Sequence, residues 1–150
     1  MDILHRVGIK ASSDEVYAAL ATIDGVAGWL TSAEGDSKVG GRIKLRFLKA
    51  DGHEIGRCEA KVLELRPAAR VLWHVFEGPA DWIGTTIAFE LKQVGDYCIV
   101  LFRHTDWKQA REHMHHASTK WAIFLMSLKA LIETGQGSPT PRDVQVGDWS

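Results

Sequence analysis

From Arg42 to His104 the apolar residues recur mostly at every second position, and from Gln109 to Thr134 at every third or fourth. This change of period constrains the fold more than any other feature. The first spacing covers one face of a β-strand and the second one side of an α-helix. RIKLRFL (42–48) sets Ile43, Leu45 and Phe47 on one face and Arg42, Lys44 and Arg46 on the other. Asp51-Gly52 signals a hairpin, after which Cys58, Ala60 and Val62 alternate with Arg57, Glu59 and Lys61. RVLWHVF (70–76) is apolar on both faces, TTIAFEL (85–91) alternates again, and YCIVLFRH (97–104) follows the tight turn at Gly95-Asp96. Five consecutive strands with short connections form an antiparallel meander. The stretch that follows holds no Gly or Pro until Gly135, and carries Ala110, Met114, Ala117, Trp121, Phe124, Leu128 and Leu131 on one stripe. It predicts one helix of about 26 residues, or roughly 39 Å.

The N-terminal third completes the pattern. ILHRVGIK (3–10) reads as a first strand. Ser12 with Glu15 fits a capping box opening a helix over 13–21, and a second short helix or turn covers Asp24–Leu30. TSAEGDSKVGG (31–41) reads as an exposed connection, its Gly40-Gly41 pair marking a turn. The expectation is therefore an α+β helix-grip architecture. A six-stranded curved antiparallel sheet carries two short helices and one long C-terminal helix over its concave face. Residues 1–135 form the domain and 136–150 an irregular C-terminal tail, with Val144, Val146 and Trp149 as its apolar anchors. At 150 residues there is room for one domain with a real core.

Eighteen basic against nineteen acidic side chains leave a formal charge of −1, which argues against nucleic acid and anionic membranes as partners. No window is long and apolar enough for a membrane span. The opening residues are charged too early for a signal-peptide core, and Cys58 and Cys98 sit in strand-like apolar surroundings, which reads as a cytoplasmic protein. No G-x-S-x-G, phosphate loop or dinucleotide fingerprint appears, so no cofactor is called for and the reading leans against an enzyme.

Several segments together resemble the START-like or SRPBCC superfamily, and within it the AHSA-like group related to the C-terminal domain of the heat-shock-protein-90 ATPase activator. ASSDEVYAALATIDGVAGWL is similar to the family's opening helix pair ending in a Trp, here Trp29, and KVGGRIKLRF to its glycine turn into a strand. Gly56, Val62, Glu64 and Pro67 stand where the family has "G, then V-x-E-x-x-P", and His104 with Trp107 closes the last strand. The resemblance covers residues 3–135. It implies a cavity between sheet and long helix, co-chaperone work in a stress response, or polyketide cyclase chemistry. One departure stands out: many relatives carry Gly-Trp in the final helix, whereas here Lys120 precedes Trp121. A Lys there narrows the cavity or places an ammonium at its mouth.

The chain has six tryptophans, enough to suggest walls around something other than its own side chains. The candidate lining is Trp29, Phe47, Trp73, Phe89, Phe102, Ala117, Trp121 and Phe124, with His104 as the polar group that orients a ligand or, in an enzyme, moves protons. The cluster REHMHHASTKW (111–121) places His113 and His116 on one helical face and turns His115 away. It lacks the further ligands of a zinc site, so no metal is assigned. These readings converge on a small hydrophobic or aromatic ligand held between sheet and helix. An interaction module acting on a chaperone partner and a cyclase or aromatase are the alternatives. Edge strands leave a homodimer open.

Overall fold

A computed structural model describes all residues from Met1 to Ser150. Seven strands form one antiparallel sheet: β1 (Ile3–Ile9), β2 (Ser32–Gly35), β3 (Arg42–Leu48), β4 (Glu54–Arg66), β5 (Arg70–Glu77), β6 (Thr86–Val94) and β7 (Tyr97–Thr105). Their order is β1-β7-β6-β5-β4-β3-β2, so the first strand closes the far side of the meander against the last. Two helices, α1 (Ser13–Ala21) and α2 (Ile23–Trp29), follow β1, and α3 (Glu112–Thr134) follows β7. No helix is long and apolar enough to cross a membrane.

The sheet has one strand more than the expected six. Ser32–Gly35, read as part of an exposed connection, pairs with β3 from Ser32 opposite Arg46 to Gly35 opposite Ile43. This strand is four residues long, mostly polar and at the sheet edge, so it has almost no buried face to leave a period in the sequence. Backbone hydrogen bonding to a strong neighbour forms it.

Elsewhere the alternation becomes burial. Ile43 and Leu45 on β3, Cys58, Ala60 and Val62 on β4, Val71, Trp73 and Val75 on β5, and Val100, Phe102 and His104 on β7 all point into one core. Ser12 caps α1 by accepting from the Glu15 amide at 3.2 Å, as the capping box predicts. Thr22 caps α2 by accepting from Gly25 N at 3.0 Å. Gly25 is required by packing, because a Cβ there would lie 2.7 Å from the Ala19 backbone of the preceding helix. Gly135 ends α3 at φ +89°, a left-handed cap that glycine adopts without steric cost.

The start of α3 is three residues later than the stripe suggests, so Ala110 lies outside the helix and is exposed. From there α3 grips the sheet. His5 Nε2 lies 3.1 Å from Ser118 O, and Lys129 Nζ donates to Gly8 O at 2.6 Å, tying the helix to β1. Trp121 packs at a tilt against Phe102 of β7 (ring centroids 4.6 Å apart) and Phe124 likewise against Phe47 of β3 (6.2 Å). A flat sheet would hold β3 and β7 roughly 19 Å apart. Two rings on adjacent turns of one helix reach both strands because the sheet curls around it.

Candidate functional site: a cavity closed by the tail

Most of the space between sheet and helix is filled. Trp29 of α2 packs edge-on against Phe89 (5.9 Å), Phe89 against Trp73 (5.2 Å) and Phe102 (5.4 Å), and Phe102 against Trp121. This aromatic row is solid core at the α1–α2 end. The Trp29 indole N–H is satisfied by Ala19 O at 2.9 Å. Trp29, Trp73, Phe89 and Phe102 are all buried and none of them borders the cavity.

The cavity opens at the other end, near the start of α3, with a volume of about 230 Å³. Four segments supply most of its wall, with Leu30 added from the end of α2. Helix α3 contributes Ala117, Trp121 and Phe124 from its apolar stripe, with His113, His116 and Lys120 beside them. Phe47 comes from β3 and Arg57 from β4. The turn between β5 and β6 folds Trp82 inward, its amide donating to Pro79 O at 2.8 Å, so that its indole lies 6.0 Å from Trp121 and nearly parallel to it. The fourth segment is the tail, through Thr140, Asp143, Trp149 and Ser150. Ile55 (42% exposed) and Trp149 (46%) border the same cavity, which is therefore open to solvent on the side they line. Of the sequence candidates, Phe47, Ala117, Trp121 and Phe124 therefore meet at one site.

His104 lies behind this wall. Trp121 Nε1 donates to its Nδ1 at 3.0 Å, and its Nε2 lies 2.8 Å from Thr85 Oγ1. An indole N–H can only donate, so Nδ1 accepts and Nε2 carries the proton. The Thr85 hydroxyl passes its own proton on to Trp82 O at 2.5 Å. The polar side-chain atoms of His104, Thr85 and Trp121 are thus all satisfied internally, whereas the Trp82 indole N–H is buried without a partner. Burial, with a smaller contribution from His113, pushes the pKa of His104 down to about 3, so the ring is neutral at physiological pH. His104 positions Trp121, and through Thr85 the Trp82 turn; it does not touch the cavity.

The histidines of α3 divide as their spacing implies. His115 is exposed, while His113 and His116 border the cavity. His113 Nδ1 lies 3.6 Å from Asp81, and its ring packs beside Trp82. His116 faces Trp149 at 5.5 Å. Its pKa is lowered by burial and by the neighbouring charges of Lys120 and His113, against a smaller opposing pull from Asp148. No group of three or more His, Cys, Asp or Glu side chains is placed to hold a metal ion.

The tail carries no helix or strand yet is docked closely. Ser138 N donates to Ser127 Oγ at 2.7 Å and Thr140 N to Leu30 O at 3.1 Å. Thr140 Oγ1 accepts from Leu48 N at 3.1 Å and shares a hydrogen bond with Thr31 Oγ1 at 2.5 Å. Polar residues do the anchoring, while Val144 and Val146, the apolar anchors expected from sequence, are exposed. Lys120 is 8% exposed and Asp143 7%, and the two form an ion pair inside the cavity wall. The ammonium expected at the mouth is thus present and already neutralised. Trp82, Arg57, Asp143 and Thr140 were not legible as site residues because they come from a turn, a strand end and the tail. The one available signal was Lys120 itself, since a charge on an apolar stripe requires a buried partner.

A helix-grip domain with an aromatic cavity under its long helix is the class that this geometry defines. The chain matches the family described as "Activator of Hsp90 ATPase homolog 1-like protein" over residues 10–133, and it belongs to that family. The Aha1 dimer from Colwellia psychrerythraea superposes with a TM-score of 0.76 at 38% identity, covering 91% of this chain and 99% of that one. CalU16 from Micromonospora echinospora shares the fold at 20% identity and a TM-score of 0.74, over 97% of this chain and 73% of that one. DynU16, from the dynemicin biosynthetic locus, does so at 16% identity and a TM-score of 0.74, over 91% of this chain and 48% of that one. No curated protein matches the chain.

Proposed function

We propose that the chain binds a small apolar or aromatic molecule in the cavity between β3, the Trp82 turn and α3. One observation carries this reading. The aromatic row fills the core at one end of the helix, while at the other Phe47, Trp82, Trp121 and Phe124 touch one another, with ring centroids 6.0–6.2 Å apart, and still border open space. Pockets for small molecules are mostly apolar with a few placed polar groups, and their volumes start near 300 Å³. A cavity of about 230 Å³ suits a compact ligand on the scale of a fused ring pair.

Titration with 2-naphthamide, followed by tryptophan emission and calorimetry, tests the reading. Trp82 and Trp121 border the cavity, so saturable quenching is expected in the wild type. It should be lost in Ala117→Leu, which extends a side chain into the space. Equal binding by Ala117→Leu, with its fold intact by circular dichroism, would remove the cavity as the site.

The kinship with the Colwellia Aha1 dimer favours a second reading, an interaction module that self-associates and stimulates a heat-shock ATPase in the cytoplasm. Sedimentation and the ATPase rate of a purified chaperone test it. A monomer without effect on the rate at saturating concentration would rule it out.

A further inference from the structure

Lys120 has an unusual set of partners. Its ammonium meets the Asp143 carboxylate, Val144 O at 3.0 Å and Ser150 O at 3.3 Å, and all three belong to the tail. Neither the sheet nor α3 itself supplies a hydrogen-bond acceptor to it. On its own helix Nζ lies 5.3 Å from the centroid of the Phe124 ring, and His116 is near enough to feel its charge. The helix therefore carries a buried cation against an aromatic wall, and its only anion comes from a segment outside the sheet-and-helix frame.

That segment is attached unevenly. Up to Thr140 it is held to the frame by Ser127, Leu30, Thr31 and Leu48, and Gly137 lies so close to α2 that a Cβ would come 2.4 Å from Gly28 O. Beyond Thr140 the only buried residue is Asp143. One oxygen of Asp143 is on Lys120, and the other, Oδ1, is buried with no hydrogen-bond partner. A carboxylate left half-satisfied is a replaceable occupant, because a buried acceptor without a donor is costly. The other charged groups at the cavity do not compete for the role. Arg57, at the mouth, is engaged by Glu54 at 2.9 Å, and His113 is turned toward Asp81.

We propose that the ligand of this cavity is an apolar carboxylic acid whose carboxylate takes the place of Asp143 on Lys120, releasing the tail beyond Thr140. The inference rests on the ligand-binding reading above and adds the chemical class and the anchoring residue. The aromatic walls hold the apolar body, Lys120 supplies the charge-assisted contact, and Asp143 is an intramolecular competitor that keeps the cation paired when the cavity is empty.

Calorimetric titration of the wild type, Asp143→Asn and Lys120→Met with 2-naphthoate and with 2-naphthamide separates the possibilities. The two probes share a shape and differ in charge. Asp143→Asn weakens the competitor and should tighten 2-naphthoate by about tenfold, while 2-naphthamide changes by less than about twofold. Lys120→Met should bind 2-naphthoate no more tightly than 2-naphthamide; Lys120→Gln serves if the methionine variant does not fold. Equal tightening of both probes by Asp143→Asn would show a merely steric tail and overturn the assignment of the acid, leaving the cavity reading intact. An unchanged 2-naphthoate affinity in Asp143→Asn would do the same. Failure of both probes to bind any of the three proteins would overturn the cavity reading itself.

Discussion

Substituting His104 by Asn tests whether a neutral buried imidazole makes this fold sensitive to mild acid. The folded chain keeps the ring uncharged down to about pH 3, whereas in the unfolded chain it takes a proton near its ordinary 6.5. Protons therefore bind the unfolded state more strongly between these values, and stability falls as the pH drops through that window. The contribution is complete above pH 6.5 and is lost progressively below it. Integrated from pH 7.5 to 5.5, a single such group removes about 1.4 kcal/mol. Asn retains an acceptor for the Trp121 indole and cannot titrate, so the variant should lose this dependence. It should also be less stable at pH 7.5 by about 1–3 kcal/mol, because a ring is removed from the core and Thr85 loses its donor. Urea denaturation of both proteins at pH 7.5 and 5.5 gives the difference of differences. His116, whose pKa is also lowered, stays in both proteins and cancels. If wild type and variant lose the same stability between the two pH values, His104 is not the group responsible and the assigned hydrogen-bond network is wrong.

Two further outcomes follow from the packing. Gly25→Ala forces a methyl to 2.7 Å from the Ala18 and Ala19 backbone and should cost about 1–3 kcal/mol by thermal or urea unfolding, even though alanine is the better helix former. Thr140→Val keeps the shape of the tail anchor but strips the partner from Leu48 N–H and Thr31. It should lower stability by about 1–3 kcal/mol and speed amide exchange at Leu48.

What the sequence revealed follows from which elements have a buried face. Strands β3 to β7 and helix α3 each place one side on the core, and Ile43, Ala60, Phe102 and Trp121 repeat at the period their backbone imposes. The Ser32–Gly35 strand buries almost nothing and could not be read that way. The cavity was half legible for the same reason. Ala117, Trp121 and Phe124 lie on the helical stripe, and Phe47 on an alternating strand. Trp82 and Asp143 reach the site from irregular segments, where no periodicity says which way a side chain points. His104 shows another limit. Its inward direction was readable from Val100 and Phe102, but whether it faced a void or a tryptophan depended on how a distant helix packed.

The place of β1 has a consequence for the order in which the chain can fold. Strands β3 to β7 are joined by short turns and can pair with neighbours close in sequence. Ile3, in contrast, lies opposite His104, and the chain near β1 is tied to α3 through Gly8 and Lys10, which accept from Lys129 and donate to Glu133. Strand β1 must therefore wait for the last third of these residues, and the entropy of closing so long a loop slows that step. Until it closes, β7 is an open edge carrying Cys98, Val100 and Phe102, the kind of edge on which a second chain can template. Removing β1 would make that exposure permanent, moving the sheet edge from β1 to the more apolar β7 and raising the tendency to aggregate.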